Sequence, residues 1–312
     1  MSKLCFGVDL GGTTVKMGLF STDGKLLDKW ERRTRKENHG RYILKDIADS
    51  IDSKMKERGI KKEDVVGIGI GVPGPVTADG TVLKCVNLGW GIFSVSNELR
   101  KLTGIDNIKV GNDANVAALG EMWQGGGRGF DNIVMVTLGT GVGGGVIIDK
   151  KILTGNRGAA GEIGHIFVND REREKCGCGK RGCLEQYASA KGVVRLANRM
   201  LKSSSKKSCL RKYDRLYAKI IFDAAKSGDE LANDIIEKFG YYLGVALAQI
   251  AQTVDPDAFV IGGGVSRAGN IIIDKMKRHY ESHVMFALKD KAFRLAELGN
   301  DAGIYGSAKM VL

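Results

Sequence analysis

The sequence predicts an α/β protein made of two halves that share one topology. Apolar strand patterns alternate with helical patterns along most of its 312 residues. An apolar strand, a glycine–threonine turn and a second apolar strand occur from Leu4, and the same series recurs about 130 residues later, from Ile133. That separation is too long for a solenoid repeat, so it indicates two domains, each beginning with a hairpin. The chain is long enough to bury a core in both.

The composition is that of a globular protein, with 43% hydrophobic and 27% charged residues. The net charge of +12 would attract anions, including nucleic acid. However, its densest segments, Lys29–Lys36 and Lys202–Lys219, contain no nucleic-acid motif, so we interpret the charge as a solvated basic surface. No apolar run approaches ~18 residues without a glycine break, which argues against a membrane span. Six cysteines without a secretory signal favour the reducing cytoplasm.

The first half is predicted to alternate strands and helices after the opening hairpin. Apolar spacing and turn residues place its elements as follows: strands Leu4–Val8, Val15–Phe20 and Lys25–Trp30, helix Tyr42–Arg58, strand Val65–Val72, a loop at Asn87–Trp90, helix Val95–Leu102, strand Ile108–Val110 and helix Val116–Gln124.

Asn112 and Asp113 fall between a strand and the helix that follows it. In open α/β sheets, ligands bind at this end of the strands. Asp113 could simply cap the helix, which is a common role for aspartate. Asn115 could provide the cap equally well, which would leave Asp113 for chemistry.

The second half is predicted to be more helical. Its elements are: strands Ile133–Thr137 and Gly145–Ile148, helices Ala188–Lys202, Tyr217–Ser227 and Glu230–Val254, strand Ala258–Ile261, helix Ile271–His283 and a small-residue helix within Asn300–Leu312. The polar, basic stretch Ser203–Lys212 is predicted to be an exposed loop.

Glycine-rich turns suggest a nucleotide site. Glycines let backbone N–H groups approach phosphate oxygens, and such turns occur at matching places in both halves, at Asp9–Thr14 and Leu138–Gly144. A single turn of this kind would be weak evidence, whereas two at matching places are stronger. Gly262–Gly264 follows a strand and could approach a flat group such as a nucleotide base. It could instead be a tight packing turn.

Cys176, Cys178, Cys183 and His165 are predicted to bind zinc, because three thiolates and an imidazole complete a tetrahedral Zn²⁺ site. The alternative is three buried thiols and an unrelated histidine. A site with four protein ligands has no open position, so the metal would be structural. Glu162 and Glu185 flank the ligands, and the metal would hold them as a platform for a polar small molecule.

Four motifs together resemble the ROK family of repressors and sugar kinases, and are most similar to its bacterial glucose kinases: Asp9–Thr13, Leu138–Gly144, Glu162–His165 and Cys176–Glu185. The resemblance extends from Phe6 to the C-terminal helix. It implies the actin-like ATPase (ribonuclease H-like) duplication, with two α/β domains around a cleft. A small domain would comprise residues 1–115 and the C-terminal helix at about 301–312. A large domain, 116–300, would carry the zinc loop.

The resemblance also implies the roles of individual residues. Asp113 would be the catalytic base, and His165 would be both zinc ligand and sugar contact. The implied sugar contacts are Asn112, Asp113, Glu162, His165, Glu185, Asn87 and Gly74. The implied Mg-ATP contacts are Asp9, near Mg²⁺, then Gly11, Gly12, Thr13, Gly139, Thr140 and Gly141 at the phosphates, and Gly263 and Gly264 along the adenosine. Lys16 would reach the phosphates or would be a solvated strand lysine.

The implied activity is transfer of phosphate from ATP to the 6-hydroxyl of glucose in the cytoplasm. The alternatives are a ROK kinase for N-acetylmannosamine, N-acetylglucosamine or fructose, or a sugar-binding regulator without catalysis. Asp9 lies too early in the chain for the DNA-binding domain that precedes this motif in the family's repressors. A homodimer or homotetramer is expected, because family members commonly form them.

Overall fold

The computed structural model describes residues 3–77 and 79–312. The chain forms two compact units. Unit 1 contains residues 1–131, 145–161 and 298–312, and unit 2 contains residues 132–144 and 162–297. Within the described ranges, no helix combines the length and the hydropathy needed to cross a membrane.

The strands are short and fall into two series. They are β1 Leu4–Leu10, β2 Thr14–Ser21, β3 Leu26–Arg33, β4 Val65–Val72, β5 Thr81–Val82, β6 Phe93–Ser94, β7 Ile108–Asn112, β8 Ile133–Leu138, β9 Val142–Ile148, β10 Lys151–Ile152, β11 Ala258–Gly262 and β12 Ala292–Leu295.

The helices range from single turns to the 25-residue α8. They are α1 Glu37–Gly40, α2 Ile43–Arg58, α3 Val95–Thr103, α4 Asp113–Gln124, α5 Glu185–Ala188, α6 Ala190–Ser203, α7 Ala218–Lys226, α8 Glu230–Val254, α9 Ile271–His283 and α10 Ala302–Lys309.

Two five-stranded sheets repeat one topology. The first has the order β3-β2-β1-β4-β7, with β1–β3 paired antiparallel and β4 and β7 added in parallel. The second has the order β10-β9-β8-β11-β12, with β8, β11 and β12 parallel. β1 and β8, which open the two predicted repeats, therefore occupy equivalent central positions.

The structure differs from the predicted elements at the start of β9, at the start of α4 and at β12. Gly143–Gly145 was assigned partly to a turn, but it lies inside β9, so only Gly139–Gly141 makes the turn. α4 begins at Asp113 rather than at Val116, and its N-cap is Asn112, not Asp113 or Asn115. β12 has no counterpart among the predicted elements, because it is only four residues long and so too short to show a strand pattern.

Glycines in unit 1 allow α10 to lie directly on the sheet and on α4. A Cβ added at Gly7 or Gly69 would collide with the backbone of α10, and one added at Gly306 would collide with the carbonyl of Val116. The fully buried Ser307 hydroxyl donates to the carbonyl of Val8 at 2.7 Å. This close packing places the start of α10 beside the end of β1, where Asp9 lies.

In unit 2, α8 is the central buried helix. Gly240 and Gly244 lie one turn apart on the face that meets α9, and a Cβ at either would lie within 3 Å of α9 backbone atoms. Phe239, Leu243 and Leu247 are fully buried on the same helix. Such burial explains why this segment reads as interior from its sequence.

Candidate active site

Asp9 and Asp113 lie close enough in unit 1 to influence each other's charge. Burial raises the pKa of Asp9 to about 6, Lys16 opposes this shift, and the nearby carboxylates Asp113 and Asp301 add to it. Lys16 pairs with Asp9 across β1 and β2, and its ammonium donates to the carbonyl of Asn300 at 2.9 Å. Lys16 therefore lies beside the half-buried carboxylate of Asp9.

The start of α4 explains the neighbouring roles of Asn112 and Asp113. The side-chain oxygen of Asn112 accepts from the N–H groups of Ala114 and Asn115 at 3.0 and 3.3 Å. Its amide nitrogen donates to the carbonyl of Gly74 at 3.1 Å, so one amide hydrogen remains for another partner. Oδ1 of Asp113 accepts from the N–H of Ala114 at 2.8 Å. The start of α4 thus holds the carboxylate of Asp113 in place.

Gly74 and Asn87 also belong to unit 1. Gly74 has φ +97° and lies against the carbonyl of Lys84, so a side chain would be strained there. Asn87 is exposed in the short helical turn Val86–Leu88 rather than in an irregular loop. Burial raises the pKa of Cys85, and the charge of Asp113 adds to this shift, so the turn lies on the Asp113 side of the unit.

The first predicted phosphate turn is Gly11–Thr13, between β1 and β2. The N–H of Gly11 donates to the carbonyl of Thr14 at 3.0 Å, and Thr34 bonds the carbonyl of Gly11 at 2.7 Å. Among the residues that the structure describes, and apart from its two chain neighbours, none has an atom within 4 Å of a Cβ added at Gly12. The turn is therefore held from one side and open beside Gly12.

The second predicted phosphate turn, Gly139–Gly141, is held by Glu185. Oε2 of Glu185 accepts from the N–H of Val142 at 3.1 Å, directly after the turn. A Cβ on Gly141 would collide with this carboxylate, which explains the glycine. Oε1 of Glu185 lies 3.7 Å from Sγ of Cys176. One carboxylate thus connects the turn to the cysteine cluster within unit 2.

A cavity of about 600 Å³ opens beside this turn in unit 2. Three of the residues predicted as nucleotide contacts line it, namely Gly139, Thr140 and Gly264. The sequence reading missed the remaining walls, which come from α6, α7 and the turn after β11, and which include Ala190, Ala218, Phe222 and Arg267. No motif marks those residues, because only folding brings them to the turn.

Gly263 and Gly264 have different surroundings. Gly263 has φ +86°, and a Cβ there would lie 2.6 Å from the carbonyl oxygen of Leu138. Gly264 has φ −62°, and a Cβ there would meet nothing within 4 Å. Gly263 therefore has a packing reason to be glycine, which was the alternative considered above, whereas Gly264 faces the cavity.

The predicted zinc ligands come together in unit 2. The four ligand atoms of His165, Cys176, Cys178 and Cys183 all lie within 4.8 Å of one another. Sγ of Cys178 and Cys183 are 3.6 Å apart, and Sγ of Cys176 is 3.7 Å from Nδ1 of His165. Tetrahedral Zn²⁺ requires about 3.5–3.8 Å between such donors. The residues therefore fit zinc, and Nε2 of His165 would remain for a further partner.

Glu162 lies at the start of the turn that carries His165. The carbonyl of Glu162 accepts from the N–H of His165 at 3.1 Å, and its side chain is exposed. Gly164 packs so tightly on the carbonyl of Val142 that a side chain would collide there. The glycine at position 164 thus allows the Glu162–His165 motif to pack directly on β9, the strand that follows the second turn.

The sequence reading also missed Glu172, whose side chain is only 1% exposed. It accepts from Arg195 at 2.8 Å, from Arg199 at 3.0 Å and from the hydroxyl of Tyr187 at 2.5 Å. Burial opposes its ionisation, but the bonds from Arg199 and Tyr187 prevail and hold the pKa of Glu172 below its usual range. We call Glu172, Tyr187, Arg195 and Arg199 the Glu172 cluster.

The Glu172 cluster anchors the cysteine loop. Gln186 donates to the carbonyl of Glu174 at 3.0 Å and accepts from the N–H of Cys183 at 3.1 Å. Tyr187 stacks on Tyr242 of α8 with ring centroids 3.9 Å apart. The loop that carries the zinc ligands is therefore attached to both α6 and α8 without the metal.

The fold and the paired turns define an α/β duplication of the actin-like ATPase class. The sequence matches the family model described as "ROK family" over residues 5–312, so the chain belongs to the ROK family. Both the family resemblance and the fold class predicted from the motifs are confirmed.

The similar proteins include several glucokinases. A glucokinase of Halalkalibacterium halodurans is 44% identical over 98% of this chain and 94% of its own length. A glucokinase of Thermotoga maritima is 37% identical over 100% of this chain and 98% of its own. The crystal structure of a ROK family glucokinase from Streptomyces griseus, in complex with glucose and AMPPNP, has a TM-score of 0.72 and 32% identity, covering 98% of each chain.

Proposed function

We propose that this protein is an ATP-dependent glucose kinase that forms glucose 6-phosphate. The observation that carries the proposal is the placement of Asp113 on the first turn of α4 beside Asp9. The 44% identity with a glucokinase supports glucose as the acceptor. A kinase of this type needs a base for the hydroxyl and a carboxylate near Mg²⁺, and these two residues meet both needs.

Asp113 would accept the proton of the glucose 6-hydroxyl as the oxygen bonds to the γ-phosphorus, while the bond from that phosphorus to the β,γ-bridging oxygen breaks and ADP leaves. A sugar hydroxyl is a poor nucleophile, and a carboxylate within hydrogen-bond reach assists its attack. Asn112, Glu162, His165 and Glu185, with Asn87 and the Gly74 carbonyl, would hold the remaining hydroxyls, because amides, carboxylates and imidazole offer the required donors and acceptors.

Mg²⁺ would supply charge neutralisation between the phosphates, and Asp9 would hold it through water. A cation beside Asp9 fits the residue, because positive charge favours the ionised form of a buried carboxylate. Gly11, Gly12 and Thr13, and Gly139, Thr140 and Gly141, would donate to the phosphates, and Lys16 would reach them as well. Gly263 and Gly264 would border the adenosine.

Zn²⁺ would be structural, held by His165, Cys176, Cys178 and Cys183. Its contribution would be to fix His165 and the adjacent Glu185, since a closed four-ligand site provides no position for substrate. We also propose that the chain works in the cytoplasm as a homodimer or homotetramer.

An ADP-release assay with a sugar panel tests the proposal. Glucose should be turned over faster than N-acetylmannosamine, N-acetylglucosamine and fructose at equal concentration. Preference for one of the other sugars would indicate the rival ROK kinase, and absence of turnover with all four, despite glucose binding by calorimetry, would indicate a regulator.

A further inference from the structure

A groove follows one face of α6 in unit 2 and, apart from Thr140 at its edge, is lined by residues without a predicted substrate contact. Its volume is about 720 Å³, within the range of small-molecule sites. Its α6 wall includes Lys191, Arg195, Arg199 and Lys202, spaced by three or four residues and so on one side of the helix. The opposite wall is the segment 214–218, just before α7. We call this the α6 groove.

The groove has a cationic rim that is only partly neutralised. Arg195 and Arg199 are bound to Glu172 and Glu174, which fixes their positions. In the described part of the chain, no ion pair involves Lys191, Lys202 or Arg215. The guanidinium of Arg215 lies 5.1 Å from the ring centroid of Tyr217. The lining also includes two carboxylates, those of Glu174 and Asp214. Because five lysine and arginine side chains line the same groove, its positive charge still exceeds its negative charge.

The groove is apolar below its rim. Leu216 is almost fully buried, and Val194 and Ala218 are half-buried beside it. The ring of Tyr217 is half-exposed and extends the apolar surface. A bare phosphate chain would leave this surface uncovered, whereas a molecule with a flat base and a phosphate end would use both the apolar floor and the cationic rim.

Lys191 and Lys202 are roughly 16 Å apart along the helix axis, from a rise of about 1.5 Å per residue. A single phosphate cannot contact both. The length suits an extended ligand whose base lies on the floor, with its phosphates at the Lys202 and Arg215 end of the rim.

We call the cavity of about 600 Å³ beside the second phosphate turn the nucleotide cavity. The groove shares three residues with it, Thr140, Ala190 and Ala218. Thr140 belongs to the second phosphate turn, and the N–H of Ala190 donates to the carbonyl of Gly139 at 2.8 Å. A ligand in the groove therefore touches the wall of the nucleotide cavity. Differential contacts of this kind are what couple two sites.

We propose that the α6 groove binds a second nucleoside phosphate and thereby changes the affinity of the adjacent cavity for ATP. This inference rests on the proposed function, because the expected total of two nucleotides per chain includes one bound in the nucleotide cavity. The groove residues Lys202 and Arg215 have no role in the chemistry proposed above.

Equilibrium dialysis of the full chain with ADP and saturating glucose tests this inference. The parent should bind two ADP per chain, and the double variant Lys202→Gln/Arg215→Gln should bind one. The control Lys207→Gln/Lys226→Gln removes the same charge from exposed positions outside the groove lining and should bind two. At low ATP, the groove variant should turn over glucose like the parent, which shows that it is folded. Added ADP should shift the apparent KM for ATP differently in the two proteins.

Retention of both ADP molecules by the groove variant would overturn the inference, and so would one ADP bound by both proteins. If the parent binds one ADP and the groove variant none, the groove is a nucleotide site but the proposed ATP cavity fails. Glucose-dependent ATP turnover tests the proposed function independently.

Discussion

At the residue scale, the start of α4 fixes the orientation of Asp113, the proposed base. Its Oδ1 accepts from the backbone N–H of Ala114, while Asn112 performs the capping. The two neighbouring side chains thus divide the structural role and the proposed chemical role.

We expect Asp113→Asn to bind glucose and ATP but to lose ~10²–10⁴-fold in kcat, because an amide cannot take the hydroxyl proton. Steady-state kinetics and calorimetry on the same preparation would separate turnover from binding. Asp49→Asn, at an exposed position on α2, is the matched control and should behave like the parent. Turnover by the Asp113 variant within a few fold of the parent would exclude Asp113 as the base.

Asp9 makes a pH-dependent contribution to stability. Burial raises its pKa from 3.8 to about 6, so the folded state holds a proton that the unfolded state releases between these values. Ionisation of Asp9 therefore destabilises the folded state, and the free energy of unfolding should fall as the pH rises from about 4 to about 6. In the absence of Mg-ATP, the ionised carboxylate remains a cost above pH 6.

Asp9→Asn should consequently be more stable than the parent above pH 6 when no nucleotide is present. The difference should be ~1–3 kcal/mol and should shrink toward pH 4. Mg-ATP should stabilise the parent but not the variant. Urea unfolding at pH 4.5 and pH 8, with and without Mg-ATP, measures both effects. A variant less stable than the parent at pH 8 would contradict this account of Asp9.

At the scale of elements, the Glu172 cluster attaches the cysteine loop to α6. Glu172→Gln should lower the free energy of unfolding by ~3 kcal/mol, since it removes the charge of a buried carboxylate that pairs with both Arg195 and Arg199. Glu174→Gln is the matched control on the same loop. Its side chain is 59% exposed, so its loss should cost less than ~1 kcal/mol. Denaturant titration of both variants measures the contrast, which equal effects would contradict.

The stability difference between the parent and Glu172→Gln should depend on pH. Hydrogen bonds keep the pKa of Glu172 below its usual value of 4.5 despite burial, so its stabilisation is present above that pH. The difference between the parent and Glu172→Gln should therefore shrink as pH falls below 4.5, a trend that unfolding curves at several acidic pH values would show.

The zinc loop is the second element with a clear expectation. Protein purified without added zinc should contain about one Zn²⁺ per chain, because three thiols and an imidazole already lie within 4.8 Å of one another. Cys178→Ala should lose most of the metal, measured by elemental analysis. Cys209→Ala removes an exposed thiol outside the cluster and should keep the metal. Full zinc content in the Cys178 variant would rule out the assigned ligand set.

At the scale of the whole molecule, the net charge of +12 should affect the two substrates differently. Mg-ATP is anionic and glucose is neutral, so only the nucleotide is attracted by a positive field, and salt screens that field. KM for ATP should rise by a few fold between low and physiological ionic strength, while KM for glucose stays nearly constant. Kinetics in potassium acetate at two concentrations measures both constants, and a parallel rise would show that salt acts on the protein generally.

The sequence itself determined the duplicated fold, because period-2 and helical patterns are local and the glycine turns recur in both halves. It also predicted the cluster of His165 and three cysteines that the structure brings together, since their types and spacing are contained within nineteen residues, from His165 to Cys183. The residues at which strands and helices begin and end were harder to predict from the sequence. β9 contains three glycines and reads as a turn until its pairing with neighbouring strands is known.

Only the tertiary structure decided which side chains support these motifs. Glu172 looks like one acidic residue in a charged loop until folding brings Arg195 and Arg199 from α6 to it. Gly263 and Gly264 are equivalent in sequence, yet one packs on Leu138 and the other faces a cavity. The raised pKa of Asp9 depends on burial beneath α10, which is nearly 300 residues away. Burial and electrostatics act through space, so residues distant in the chain determine them.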